Sequence, residues 1–417
     1  MSGETPPTQW DLNAFNVGKR LAHLKGVRVL DVTRALAGPY AGMLLGDLGA
    51  EVIKIEPLEG DPTRGNPPYE FGGDGGYFLA ANRNKVSIAI NLRTDQGREI
   101  ISRLVRTSDI VLDNLRTRQR TALGLDYASL AAVNPRIVSC SLTGFGSQGP
   151  YAARPAYDIV VEALAGVMSL TGPLGGPSVR AGVPIGDIVA GLYSVIGVLS
   201  GLQHREAHGK GTHIDISMLD CQVSLLSYLA QYYLLSGDVA EHQGSGHVGN
   251  PMYDSFSTSD GKEIVMNAGN DDKFRAVCEV LGRPELVADP RFATRKERLA
   301  HRQELQAIMR EEMGKRAERE LYEAYLAAGV PSAPINSIDR ALADPQVRYR
   351  DMVVRIPHHS GAPFLGLGSP VKSEDAEGDP FTSPPAKGTA TTKLLAEVGY
   401  TTREIDELRR AGVVATA

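Results

Sequence analysis

Between Val27 and Leu142 the chain alternates short β-branched runs with helix-length segments, and few folds accept that alternation. Val27-Arg-Val-Leu-Asp-Val32 and Glu51-Val-Ile-Lys-Ile55 read as buried strands. An Ala/Leu/Met-rich helix lies between them and opens after the Gly38-Pro39 turn, which makes a βαβ unit. Further strands are expected at Val86 to Ile90, Ile110 to Leu112 and Arg136 to Leu142, with helices at Asp95 to Thr107 and Leu123 to Val133. Strands that alternate with helices in this way build a mostly parallel, doubly wound sheet. Residues 57–79, rich in Gly, Pro and acids, form a loop too long to be a mere connection, so a functional role is expected there.

Composition narrows the class. The 417 residues suffice for two or three domains, and 42% hydrophobic with 22% charged residues is the balance of a soluble globular protein. A net charge of −5 carries no basic excess and argues against a nucleic-acid partner. Cys140, Cys221 and Cys278 are odd in number and far apart, as in a reducing cytoplasm. The first residues, MSGETPPTQWDLNAF, lack a basic segment followed by an apolar one, and the apolar run after Asp187 is short for a membrane span. A cytoplasmic enzyme or binding protein with no membrane partner is expected. After Met252 the texture shifts to a hairpin and charged helices at about 271–281 and 291–328. Leu219 to Ser236 reads as one helix, and a final helix is expected near 401–411.

Gly182-Val-Pro-Ile-Gly-Asp187-Ile-Val-Ala-Gly191 places a lone carboxylate at the edge of a long apolar run, Ile188 to Leu202. Asp187 therefore falls at or just before a helix N-terminus. Asp is a favoured N-cap, and that is the ordinary explanation. The same position favours an ionised, exposed acid that glycines leave open to a substrate, so a nucleophile is the other reading. Tyr157-Asp158 repeats the acid-before-helix pattern. Arg93, near Asn91, and Asn114, followed by Arg116, Arg118 and Arg120, lie just beyond expected strands, where doubly wound sheets bind ligands. Arginines there suit a polyphosphate.

Other motifs carry less. Gly144-Phe-Gly-Ser-Gln-Gly149 matches G-x-G-x-x-G, but Pro150 follows where a dinucleotide site needs a helix. His204 and His208 have i,i+4 spacing without a supporting carboxylate or Cys, and His358-His359 is an isolated pair, so no metal site is expected. No motif activates a cysteine, and no G-x-S-x-G elbow is present.

Taken together, the segments resemble the class III coenzyme A transferases, a family that also holds the carnitine-pathway CoA transferases and the α-methylacyl-CoA racemases. The resemblance runs from about residue 25 to about 370. It rests on Val29-Leu-Asp-Val-Thr33 with Ala37-Gly-Pro39, on Leu45 to Glu56, and on Asn84-Lys85 with Ile90-Asn-Leu92. It continues through Gly144-Phe-Gly146 with Gly149-Pro150, Tyr157-Asp158, Gly186-Asp187, and Gly209 to Asp215 with Met218-Leu-Asp220. Gly329 to Pro334 with Ala343 to Val347 completes it.

The resemblance implies that Asp187 is a covalent nucleophile, passing through mixed anhydrides and an aspartyl-CoA thioester, with Tyr157 and Asp158 beside it. The racemases carry His where this chain has Tyr157, and a phenol of pKa near 10 is a poor second acid/base at neutral pH. Acyl transfer is thus favoured over its alternatives, an α-methylacyl-CoA racemase or a non-catalytic CoA-ester binding protein. CoA thioester is then a substrate, with no tightly bound cofactor. By resemblance the CoA-binding groups are Asn91, Arg93, Asn114, Arg116, Leu36 and Ala37, and an active-site loop contains Gly246, His247 and Gly249. Departures at Pro57 and Ala122 leave the phosphate contacts open among Arg116, Arg118 and Arg120. His247 and Val248 interrupt a glycine run of the oxalate-using enzymes, and Leu36 replaces a polar side chain. A larger or less polar acceptor carboxylate follows, with succinyl-CoA as donor by analogy. The implied fold is a Rossmann-like large domain with a smaller α+β domain: residues 1–206, a linker at 207–227, the small domain at 228–326, and 327–417 returning to complete the large one. An interlinked homodimer is expected.

Overall fold

A computed structural model describes residues 10–374 and 378–417. The chain separates into two compact units. The first comprises residues up to 167, 181–231 and 345–417; the second comprises 168–180 and 232–344. The second unit thus starts and ends later than the 228–326 segment expected from sequence, and it takes in 168–180 as well.

The first unit is built on six strands: β1 (Arg28–Asp31), β2 (Glu51–Glu56), β3 (Lys85–Ile90), β4 (Ile110–Asp113), β5 (Val138–Thr143) and β6 (Thr212–Ser217). All six run parallel in the spatial order β3-β2-β1-β4-β5-β6, and a C-terminal strand, Val414–Ala415, pairs antiparallel with β3 at the edge. The order reverses between β1 and β4, which makes the crevice beyond their carboxyl ends the expected ligand site. Five helices matter to the site: α1 (Ala37–Asp47), α2 (Asp95–Arg106), α3 (Asp158–Leu164), α4 (Ile185–His208) and α5 (Met218–Leu225). Both faces of the sheet are covered. One core gathers Leu30, Ile53, Ile88, Ile100, Leu104 and Val111 beside the C-terminal Leu394 and Val414, and the other packs Leu45, Val52, Leu112 and Val138 against Val195 and Val198 of α4. Continuous Val/Ile/Leu runs are what a strand buried on both faces requires.

α4 is longer than the sequence suggested. It spans 24 residues and is long and apolar enough to cross a membrane by length and composition. Its glycines explain its actual position. A Cβ on Gly201 would come within 2.8 Å of Val138, and one on Gly191 within 2.9 Å of the Ala37 carbonyl, so small residues let α4 lie flat on β5 and α1. Near its end Arg205 pairs with Asp109 at 2.7 Å. The expected single helix from 219 to 236 is two, because Ser227 takes φ 46°, a value no α-helix accommodates.

Several carboxylates of the sheet strands are buried, each with a cationic partner. Lys85 meets Asp31 at 2.8 Å, Arg64 meets Glu56 at 2.7 Å, and Arg120 meets Asp113 at 2.9 Å. Burial pushes the Lys85 ammonium down to about 8 despite the Asp31 carboxylate beside it.

The second unit has a three-stranded antiparallel sheet of Tyr253–Ser257, Glu263–Asn267 and Ser332–Pro334. Its own core holds Phe256, Phe274, Phe292, Met309 and Tyr325. The charged region expected at 291–328 is three helices, Arg295–Ala300, Arg302–Met313 and Glu318–Ala327.

Candidate active site

The N-terminus of α4 is the centre of the site. The helix begins at Ile185 with Pro184 as N-cap, and Pro184 makes no side-chain cap bond. Asp187 is therefore in the first turn rather than at the cap, which corrects the sequence expectation. Capping is performed from another helix. Asp158 opens α3, and its Oδ1 accepts the Asp187 backbone N–H at 3.1 Å. A carboxylate that satisfies an orphan N–H is worth about 1 kcal/mol, and here it also sets two acids side by side.

Asp187 is partly buried, and its carboxyl is raised from an ordinary 3.8 to about 6, first by burial and then by the Asp158 charge. It is therefore ionised at neutral pH yet more basic than a surface carboxylate. Tyr77 faces the same pair. Its phenol is pushed up by burial and then by the charges of Asp187 and Asp158. Tyr77 lies in the short Gly76–Leu79 helix inside the loop marked out by length and composition, but nothing in the sequence singled it out. Tyr157 is the N-cap of α3 and is 77% exposed, so its side chain stands in solvent in this chain.

Beyond the carboxyl ends of β1, β2 and β3 lies a cleft of about 440 Å³. Asn91, Arg93 and Arg34 line it together with Pro57 and Gly60. Arg34 was missed from sequence; it follows β1 at the point where strand order reverses. Asn114 does not line this cleft. Its side chain clamps the neighbouring turn, accepting the Arg34 N–H at 3.0 Å and donating to the Arg34 carbonyl at 2.7 Å. Arg116 and Arg118 are exposed, whereas Arg120 is buried on Asp113 and is a structural cation, not a phosphate contact. Leu36 is half-buried as the N-cap of α1. The Ala37 side chain is buried in an apolar cluster with Val161, Ala190 and Cys221, which leaves only its backbone for a ligand.

The loop containing Gly246, His247 and Gly249 belongs to the second unit. Two cations pin it: Arg302 donates to the His247 carbonyl at 3.1 Å and Arg295 to the Gly249 carbonyl at 2.7 Å. The His247 ring turns back on its own loop, Nδ1 accepting the Gly249 N–H at 3.0 Å. His247 is thus part of an ordered turn.

The remaining motifs resolve plainly. Ser147 in the Gly144–Gly149 segment is bound twice by Asp215, and no helix follows directly, so the dinucleotide reading fails. Burial pushes the Cys140 thiol up to about 12, Cys221 to about 11 and Cys278 to about 12, which removes them as thiolate nucleophiles. His358 and His359 are not isolated. His359 Nε2 lies 2.8 Å from Asp74 Oδ2 and His358 Nε2 3.4 Å from it, the three forming the one cluster of metal-ligand type among the described residues. Arg64 already holds the other oxygen of Asp74 at 2.8 Å, so the cluster is a hydrogen-bonded hub.

The family model of CoA-transferase family III matches residues 24–391. The chain is 40% identical over 397 residues to the human succinyl-CoA:glutarate CoA-transferase, covering 94% of this chain and 90% of that one. It is also 40% identical over 355 residues to the succinate–glutarate CoA-transferase of Agrobacterium fabrum, covering 84% and 88%. Among solved structures, a CAIB/BAIF family protein from Brucella suis superposes with a TM-score of 0.83 at 39% identity, covering 91% of this chain and all of that one. The chain therefore belongs to CoA-transferase family III and is an enzyme of the CoA-transferase class.

Proposed function

We propose that the enzyme carries CoA from succinyl-CoA to a dicarboxylate of glutarate size, with Asp187 as the covalent nucleophile. The observation that carries this reading is the raised carboxyl of Asp187 in the first turn of α4, beside Asp158. A carboxylate of pKa about 6 is ionised at pH 7 and is a stronger nucleophile than an ordinary one. It attacks the thioester carbonyl, the C–S bond breaks, and CoA leaves as thiolate from a mixed anhydride. The thiolate attacks the Asp187 carbonyl and releases succinate, leaving an aspartyl-CoA thioester. The acceptor carboxylate then attacks that carbonyl and expels the thiolate, which attacks the acceptor acyl carbon and frees Asp187. Electron pairs balance at each step, and no net proton is taken up. The partly buried setting protects the anhydrides from water.

Arg93, Asn91 and Arg34, which line the cleft beyond β1 to β3, are assigned to the CoA nucleotide. The substrates follow those of the relatives, the succinyl-CoA:glutarate and succinate–glutarate CoA-transferases. A homodimer belongs to the same reading. Its support is the outer face of α4, where Leu192, Tyr193, Ile196 and Leu199 are exposed.

The test is mass spectrometry of protein incubated with succinyl-CoA and quenched with hydroxylamine. Asp187 is expected to carry the modification, and Asp187→Asn to abolish both it and turnover. Turnover with an unmodified Asp187 would sink the mechanism, and α-proton exchange without an acceptor acid would turn the reading toward racemisation.

A further inference from the structure

Two imidazoles and a carboxylate converge in the first unit, away from Asp187. The strands Glu70–Phe71 and Asp74–Gly75 pair antiparallel, and Val353–Ile356 pairs with Phe364–Leu367 in a second hairpin. His358 and His359 lie in the turn of that second hairpin, and Asp74 meets His359 from 285 positions earlier in the chain. The sequence offered no carboxylate beside this histidine pair; the fold supplies one.

The surroundings hold the three side chains in place. Phe71 and Phe364 stand edge-on to the His358 ring, with centroids at 5.3 and 6.0 Å. Gly72 takes φ 59°, and a Cβ there would stand 2.4 Å from His358 Cε1, so only glycine lets the hairpin close over the ring. Asp74 and His358 are buried, whereas the His359 side chain is 32% exposed, which leaves an entry path and room for water. Arg64 donates to Asp74 Oδ1 at 2.8 Å and so turns Oδ2 toward the imidazoles, while Glu56 already meets the Arg64 charge at 2.7 Å. An outer partner of this kind is how a ligating carboxylate is oriented.

As a purely hydrogen-bonded hub the group is one partner short. Asp74 Oδ2 lies 2.8 Å from His359 Nε2 and 3.4 Å from His358 Nε2. The first contact is a hydrogen bond; the second is not, and His358 Nε2 is a buried nitrogen without a partner. Across the ring, the Ser360 hydroxyl lies 2.8 Å and the Ser360 N–H 3.2 Å from His358 Nδ1. With the hydroxyl accepting from Nδ1–H, the Nε2 lone pair faces the carboxylate, and a cation between them satisfies both. Donor atoms about 2.0–2.2 Å from one ion stand about 2.9–3.4 Å apart in octahedral or tetrahedral geometry. The two separations from Asp74 Oδ2 are close to that, and all three donor atoms lie within 4.8 Å of one another.

We propose that Asp74 Oδ2, His358 Nε2 and His359 Nε2 form a binding site for a divalent transition ion of the Zn²⁺ kind, with water completing its coordination on the exposed side of His359. Two imidazoles and one carboxylate suit Zn²⁺ and offer too few oxygens for Mg²⁺ or Ca²⁺. The ion ties the 57–79 loop to the returning C-terminal segment. Tyr77, whose phenol feels the Asp187 and Asp158 charges, follows Asp74 by three residues, so the same ion anchors the turn that carries it. The site does not depend on which residue is the nucleophile.

The experiment titrates untagged, EDTA-treated full-length protein with ZnCl₂ by calorimetry at about pH 7.5, with MgCl₂ in parallel. One Zn²⁺ per chain with a Kd of about 10 µM or tighter is expected, and no binding of Mg²⁺. X-ray absorption of the loaded protein should show two imidazoles on the ion. Zn²⁺ should raise the melting temperature of the wild type but not of His359→Ala, whose affinity should fall at least about 100-fold. His204 and His208, an exposed pair on α4 with rings 4.2 Å apart, are the control for surface binding, and the His204→Ala/His208→Ala variant should bind as the wild type does. Weaker binding by the wild type, an affinity unchanged in His359→Ala, or loss of the ion in the His204→Ala/His208→Ala variant overturns the proposal. Asp74→Asn gives the same decision if His359→Ala does not fold.

Discussion

Replacing Asp187 with Asn should abolish turnover and at the same time stabilise the protein, by an amount that depends on pH. The carboxyl lies near 3.8 when exposed and at about 6 in the folded chain. Each pH unit of that difference is about 1.4 kcal/mol, so the folded state loses up to about 3 kcal/mol by ionising this group. The sign follows from proton counts. Between about pH 4 and 6 the folded chain binds more protons than the unfolded chain, so stability falls as pH rises; below about pH 4 both forms are protonated and the loss disappears. The first-turn position works the other way, because the helix dipole favours the charge by about 0.3–1 kcal/mol, so about 3 kcal/mol is a ceiling. Asn is neutral at every pH and nearly isosteric. Urea unfolding of wild type and Asp187→Asn should therefore coincide near pH 4 and diverge in favour of the variant by about 2–3 kcal/mol at pH 8. A difference that does not change with pH, or a variant less stable at pH 8, would refute the claim that this acid is held against its preferred protonation state.

Gly186→Ala drives a methyl group into the Gln222 amide and toward Asp158; activity should fall at least about 100-fold and stability by about 1–3 kcal/mol, read from turnover and melting. Arg93→Ala and Arg34→Ala, which open the cleft beyond β1 to β3, should each raise KM for the acyl-CoA about tenfold with kcat nearly unchanged. Arg83→Met leaves the Asp47 carboxylate, 1% exposed and 2.6 Å from Arg83, without its cation, and should destabilise by about 3–5 kcal/mol in urea titration while sparing the chemistry of the enzyme that remains folded. Arg302→Ala removes the donor to the His247 carbonyl and should increase proteolytic cleavage within 242–251 under native conditions.

The parallel sheet was legible because its first four strands are short runs rich in Val, Ile and Leu, separated by segments of helix length. Asp187 stood out for a similar reason, as an acid at the mouth of an apolar helix. What the residues could not convey was which acid does the capping. Asp187 looked like the cap, yet Asp158, 29 positions earlier in the chain, performs it. Such a role depends on how α3 packs against α4, and local sequence carries no trace of that. Arg120 was misjudged likewise, since whether an arginine points to solvent or to Asp113 is set by a strand seven residues before it. Tyr77 escaped notice altogether because it becomes informative only once the fold sets it within reach of the Asp187 and Asp158 charges. His358 and His359 needed Asp74, more than 280 positions away, before they meant anything.

The second unit interrupts the first, and this has a consequence for how the chain acquires its structure. Residues 232–344 have their own core and short-range contacts, and they emerge during synthesis before the segment that finishes the main sheet. Strand β3 must wait for Val414–Ala415 to cover its edge, and Asn84 for Thr382. Until then a nascent chain carries a finished small unit beside an incomplete large one, with an open strand edge able to pair with another chain. Closing contacts over some 300 residues is entropically slow. The protein should therefore refold in two phases, the inserted unit first, and yield should depend on dilution during the second.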